Sequence, residues 1–185
     1  GSTKLFIEYI LKDIYKSDNS WNIGILRYFN PVGAHSSGLI GEDPNGIPNN
    51  LCPYITKVAV GKLKQVNVFG NDYDTPDGTG VRDYIHVNDL ARGHRMAFDY
   101  LQNNDKSLVV NLGTQTGASV LDIIHGAEKV SGKKVPYRIV ERRPGDPASL
   151  IANPSKAKEI LGWEAKYSDL ETILSTTWQA YRANS

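Results

Sequence analysis

Stretches with the period of a helix alternate with short apolar runs along this chain, and that alternation most limits what it can fold into. Residues 3–16 carry apolar side chains at 5, 6, 7, 9, 10, 11 and 14, a wide face that predicts a largely buried helix. Residues 22–29 (NIGILRYF) read as a core strand and 66–69 (VNVF) as a short one. Residues 81–87 (VRDYIHV) read as a short extended piece, 108–112 (LVVNL) as a strand stopped at Gly113, and 135–140 as another strand. Pro53 suits the first turn of a helix running to about 64. Asn88, with Asp89 behind it, caps a helix to about 102, and Ser119 opens one that stops at Gly132. Asn153-Pro154 starts a helix ending at Gly162, and Ser168-Asp169-Leu170-Glu171 has capping-box spacing for a last helix over 169–182. Such an order predicts the α/β class, with a sheet that reads as discontinuous.

The chain opens on Gly1-Ser2-Thr3-Lys4 and runs straight into its first helix, with no strand, turn or cap before it. That opening predicts the back part of a larger protein. In 185 residues, Lys plus Arg number 21 against 20 Asp plus Glu, a net charge of +1 that gives no reason to expect nucleic acid or an acidic membrane as partner. No apolar run approaches membrane-spanning length, and no signal peptide is visible. Cys52 stands alone, which excludes an internal disulfide and a Cys-cluster metal site and fits a reducing, cytoplasmic setting. The four histidines lack metal-ligand spacing, so no metal is expected. Residues 31–50 and 70–80 are long segments rich in Gly, Pro, Asn and Asp, the composition of binding loops. Gly78-Thr79-Gly80 and Gly113-Thr114-Gln115-Thr116-Gly117 lack the strand-turn-helix context of a dinucleotide fingerprint.

Residue chemistry alone singles out Arg82 and Arg143. Each lies close to glycine, and a guanidinium fork matches phosphate oxygens; the bland reading is a surface ion pair. Phe29 reads as core, Asn30-Pro31 as a strand exit, Asn49-Asn50-Leu51 as a turn before a helix, and Asn67-Val68-Phe69 as a plain edge strand. Lys4 reads as a solvated side chain, and His86 as a packing histidine rather than a base.

RYFNPVGAH at 27–35, GEDPNGIPNNL at 41–51, NVFGNDYDTPDGTGVRDYIHVNDLARGH at 67–94, VNLGTQTG at 110–117 and ERRPGD at 141–146 occur in one order along nearly the whole chain. In these strings the sequence resembles the UDP-glucose (UDP-galactose) 4-epimerases among the extended short-chain dehydrogenase/reductases. That resemblance implies the final helix and strand of a Rossmann-like NAD-binding domain (residues 1–30, with 82–113 partly returning to it) plus a smaller α/β sugar-nucleotide domain (mainly 31–185). It implies an NAD cofactor and a catalytic Tyr four residues before Lys4, hence ahead of Gly1. On this reading most of the NAD site is missing, the isolated chain is inactive, and what it does is anchor UDP. A complementary NAD-domain chain would then be a possible partner, and the intact enzyme a homodimer formed through the first helix.

The resemblance also assigns residues. Lys4 becomes the helper that lowers the Tyr pKa and bonds the nicotinamide ribose. Phe29 lies against the nicotinamide, and Asn30 bonds the sugar nucleotide. Asn50 and Leu51 hold the diphosphate region. Asn67, Val68 and Phe69 line a uracil pocket. Arg82 and Arg143 grip the diphosphate, and Asp146 accepts ribose hydroxyls. Leu150 borders the 2-substituent of the sugar, where its bulk favours UDP-galactose and UDP-glucose over N-acetylated forms. The implied reaction inverts carbon 4 of the hexose by transient oxidation. Alternative readings are a related UDP-sugar epimerase or dehydratase, or a UDP-binding fragment without turnover.

Overall fold

The computed structural model describes residues 1–42 and 44–183; Asp43, inside the GEDPNGIPNNL string, and residues 184–185 lie outside the described residues. Two short runs, GILRY and LVVNL, neighbours in space but far apart in sequence, make the first pairing. β1 (Gly24–Tyr28) runs parallel to β6 (Leu108–Leu112), with Gly24 opposite Leu108 and Tyr28 opposite Leu112. Parallel strands need a long crossover, and here it includes α3 (Val87–Asn104). β2 (Asn30–Val32) pairs in parallel with β5 (Tyr84–His86), and β3 (Val66–Phe69) with β8 (Tyr137–Val140). β4 (Val81–Arg82) lies between antiparallel β7 (Ala118–Ser119) and parallel β9 (Ser149–Leu150). The remaining helices are α1 (Ser2–Ser17), α2 (Leu51–Ala59), α4 (Val120–Ser131), α5 (Ser155–Leu161) and α6 (Leu170–Ala183).

Two apolar clusters hold these elements. One joins α2, β3, α4 and α6 around Ile55, Val66, Val68, Ile123, Ile124 and Ile173. The other packs α3 and α5 against β6 through Ala97, Val110, Leu112, Ala157 and Trp163. Buried carboxylates tie loops to this frame. Asp89, fully buried, accepts from the backbone N–H groups of Lys166 and Tyr167, from the Ser168 hydroxyl and from Arg92.

Several sequence expectations are corrected. Parallel pairing recurs from Gly24 to Leu150, so the α/β organisation runs through the chain instead of being limited to one terminal helix and strand followed by a separate domain. α1 is a helix, but no residue in it is buried; Phe6 is 60% and Ile10 58% exposed. The cap of α3 is His86, whose side chain accepts from the Asn88 N–H. Ser168 does not cap α6, because its hydroxyl is spent on Asp89 and on the His86 N–H; Asp169 accepts from the Thr172 N–H instead.

Candidate active site

A cleft of about 380 Å³ opens among six separate stretches of chain: Asn30, residues 48–54, β3, residues 80–84, Val120 at the start of α4, and the loop after β8. Strand alternation aims the side chains. Val68 points into the core while Asn67 and Phe69 face the cleft. In the same way Arg82 and Tyr84 face the cleft and Asp83 between them turns inward, fully buried. Asn30 enters beside Tyr84, its partner in register. Asn50 is the N-cap residue of α2, with extended backbone (φ −90°, ψ 148°), and Leu51 is the first helical residue, so an N-terminal helix turn borders the cleft.

The charges are arranged around an aromatic. The Arg143 guanidinium lies 3.8 Å from the centre of the Phe69 ring, a cation–π contact that holds it over one wall. Arg82 donates to Asp146 at 2.5 Å and to the Val81 carbonyl at 2.7 Å. Gly145, at φ +76°, makes the turn that brings Asp146 back toward Arg143, whose carbonyl accepts from the Asp146 N–H. Arg138 donates to the Asn67 side-chain oxygen at 2.9 Å and orients that amide. Tyr54, Leu51 and Val120 add apolar wall. The Tyr84 phenol is pushed well above its ordinary range, chiefly by burial, so it stays neutral. Two guanidiniums, one carboxylate, a helix N-terminus and a half-apolar wall suit a ligand with an anionic middle and a flat end.

The structure thus brings together Asn30, Asn50, Leu51, Asn67, Phe69, Arg82, Arg143 and Asp146. It places four residues elsewhere. Val68 is core, and Leu150 is exposed on β9 opposite Arg82. Lys4 is exposed on the first turn of α1, and Phe29 is half-buried between β1 and β2. Arg142 turns away to Asp72 and stacks on the Tyr73 ring at 4.0 Å. Tyr54 and Tyr84 are cleft residues as well; sequence reasoning left out Tyr54 and read Tyr84 as structural. The signals were spacing: Tyr54 is three residues beyond Leu51 on a helix, and Tyr84 two beyond Arg82 on an extended segment.

A second arrangement bears on a cofactor. Glu8 accepts both forks of Arg27, while Leu11, Lys12 and Tyr15 share a depression with Ile23 and Ile25. α1 therefore runs antiparallel to β1, and its first turn lies toward the carboxyl end of that strand. Lys4, exposed on the first turn of α1, and Phe29, just past the end of β1, would offer an ammonium and an aromatic ring to the ribose and flat ring of a nicotinamide nucleotide. Among the described residues, no cluster of three or more His, Cys, Asp or Glu offers a metal site. No helix among them is long and apolar enough to cross a membrane.

UDP-glucose 4-epimerase of Bacillus subtilis is 59% identical over 184 residues, covering 100% of this chain and 54% of that protein. The crystal structure of UDP-glucose 4-epimerase from Stenotrophomonas maltophila, with bound NAD and formylated UDP-arabinopyranose, is 50% identical with a TM-score of 0.96, covering 100% of this chain and 55% of the other. That from Bifidobacterium longum, in complex with NAD+ and UDP, is 54% identical with a TM-score of 0.94, covering 100% and 54%. The chain spans about half the length of the relatives it matches.

These matches correct the view of the chain as an inactive, UDP-anchoring remnant with most of its NAD site gone. Every part of it, α1 and the β1–β6 pair included, is epimerase-like sequence, and it superposes throughout on structures that carry NAD. Inactivity argued from a Tyr ahead of Gly1 is not sustained, since where a sequence begins decides nothing about the activity of the protein. The sequence profile of the family described as GDP-mannose 4,6 dehydratase matches residues 1–177, and the chain belongs to that family.

Proposed function

We propose that the protein interconverts UDP-glucose and UDP-galactose by inversion at carbon 4 of the hexose, and that the cleft of Arg82, Arg143 and Asp146 holds the nucleotide. One observation carries this reading: residues from six separate stretches converge on one cleft whose chemistry follows the parts of UDP. Arg82 and Arg143 take the diphosphate, with the first turn of α2 behind it. Phe69 covers the uracil face, and the Asn67 amide bonds its edge. Asp146, anchored by Arg82, accepts ribose hydroxyls. Asn30, the first residue of β2, meets the hexose end. Gripping the nucleotide far from carbon 4 uses remote binding energy to position a sugar that itself stays free to turn. NAD, when bound, supplies hydride exchange at carbon 4; Lys4 and Phe29 are the residues of this chain that would hold its nicotinamide ribose and ring.

The test is calorimetric titration of the full-length protein with UDP, GDP and UDP-galactose. UDP and UDP-galactose should bind, and GDP far more weakly, because a purine presents a different edge to the Asn67 amide. Arg82→Met and Arg143→Met should each weaken UDP by about 10- to 100-fold, the worth of one charge-assisted bond. Binding of GDP as tight as UDP would overturn the reading. We also propose a cytoplasmic homodimer packed through α1, supported by the exposed apolar side chains of that helix and by the lone buried Cys52. A monomeric mass in sedimentation of the full-length protein would refute the dimer.

A further inference from the structure

Beside the cleft lies a carboxylate that never reaches it. Asp83 is fully buried and sits between Arg82 and Tyr84. Its two oxygens accept from the Thr114 N–H (2.9 and 3.0 Å), the Thr114 hydroxyl (2.7 Å), the Gln115 N–H (3.1 Å) and the Ala152 N–H (3.1 Å). Its own main chain is equally engaged: its N–H donates to the Leu150 carbonyl (3.1 Å), and its carbonyl accepts from the Asn30 N–H (3.0 Å). One residue therefore fastens the segments of Asn30, Arg82 and Leu150 and the 113–117 loop.

The surroundings are built for that carboxylate. Gln115 has φ +63°, a left-handed conformation rare for a side-chain-bearing residue, and it sits where consecutive N–H groups converge on Asp83. A Cβ at Gly113 would lie 2.9 Å from the Asp83 Oδ2 and 2.3 Å from the Ala152 Cβ, so only glycine allows this approach. Three of the four groups around it are backbone N–H donors, and the fourth, the Thr114 hydroxyl, donates to it as well. An amide in place of the carboxylate would set its NH2 against N–H groups and leave buried donors unpaired.

We infer that Asp83 is a positioning residue for nucleotide binding: it fixes the main chain from which Arg82 reaches the diphosphate. This rests on the reading of the cleft as a UDP-sugar site. The protein contains its own control. Asp89 is as deeply buried and as fully bonded, but it ties α3 to residues 166–168, away from the cleft.

The experiment measures UDP affinity and thermal stability of full-length wild type, Asp83→Asn, Asp89→Asn, Arg82→Met and the Arg82→Met/Asp83→Asn pair. Both aspartate variants should lose stability. Only Asp83→Asn should weaken UDP, by about tenfold or more, with the loss appearing in KM and kcat held within about twofold. In the Arg82→Met background the same change should cost less than about twofold, because the group it positions is gone. Equal affinity losses in the two aspartate variants, or full additivity with Arg82→Met, would overturn the inference. Should Asp83→Asn fail to fold, Thr114→Val and Thr114→Ser replace it. Valine removes one donor and should weaken UDP about threefold, while serine keeps the hydroxyl and should restore it. Unchanged affinity in Thr114→Val would overturn the inference as well. Wild type that binds no UDP would instead bring down the functional reading beneath it.

Discussion

α1 and α4 carry similar amounts of apolar side chain and meet opposite fates. α4 starts at Ser119, whose hydroxyl accepts from the Asp122 N–H while the Asp122 carboxylate accepts from the Ser119 N–H, a reciprocal cap. It stops at Gly132 in the left-handed conformation, and between these ends Ile123 and Ile124 are fully buried. α6 comes so close that a Cβ on Gly126 would lie 2.5 Å from Leu174 Cδ1. α1 has no side-chain bond at its Gly1 cap and no buried residue. It is tied down by polar means, chiefly the two-pronged Arg27–Glu8 pair. Periodicity therefore tells which side of a helix is apolar. Whether that side is covered depends on what stands opposite.

Truncating one side chain on each helix tests this contrast where it is largest. Ile124→Ala should cost about 2–5 kcal/mol, since it removes a fully buried branched side chain and leaves a cavity. Phe6→Ala, at a residue 60% exposed in the single chain, should stay within about 0.5 kcal/mol at concentrations that keep the protein monomeric, and cost more where the proposed dimer covers it. Denaturant unfolding of the full-length protein measures both. A cost for Phe6→Ala close to that of Ile124→Ala would break the contrast and show that the α1 face is covered in the assembled protein.

The ends of the helices give the next effect. Ser119→Ala removes a cap, worth about 1 kcal/mol, and also a hydroxyl bonded to Asp77, which in turn holds the Thr79 N–H and hydroxyl. A loss of about 1–2 kcal/mol is expected, together with earlier hydrogen exchange at residues 75–81. Burial would raise the Asp77 pKa, but bonds from Ser119 and Thr79 outweigh it and hold it below the ordinary value of 3.8. Its contribution is thus complete above that pH and lost as pH falls through the depressed value. Ser119→Ala should therefore flatten the acid limb of stability. An unchanged limb would show that Asp77 keeps its partners without the hydroxyl.

The same contrast explains what was legible in the sequence. β3, β6 and the limits of α4 follow from β-branched runs and from Ser119 and Gly132, signals contained within a few residues. β4, β7 and β9 are two residues each, too short for any period, and exist because separate loops meet. The cleft was legible only in part for the same reason. Arg82 and Arg143 stood out by their chemistry, but their convergence with Phe69 and Asp146 depends on those short pairings. Asp83, bonded across 31 and 69 residues of sequence, left no local mark at all.

A third way to begin a helix sharpens the comparison through pH. The His86 ring accepts from the Asn88 N–H through Nδ1 and faces the Thr176 hydroxyl through Nε2, an assignment that follows from the hydrogen-bond network of a neutral ring. Burial lowers its pKa below 6.5, while the charges of Asp89 and Asp169 pull the other way without prevailing. The unfolded chain then binds the proton more readily than the folded one. Stability is complete above the unfolded value and falls as pH drops through 6.5 toward the lowered folded value. His86→Asn keeps a capping oxygen and should show a shallower decline of Tm between pH 6.5 and 5. An identical decline would assign the proton uptake to another group.

The smallest effect concerns how α4 meets α6 at the surface. Lys129 reaches Glu171 at 2.9 Å, but the two side chains are 72% and 68% exposed. Water solvates both ions well, and holding two long side chains in one geometry costs entropy that offsets the attraction. Lys129→Gln should change stability by no more than about 0.5 kcal/mol, and by less as salt is raised. If it instead approached the cost of Ile124→Ala, α4 would be held by its charges as α1 is. Apolar burial would then not be what separates the two helices.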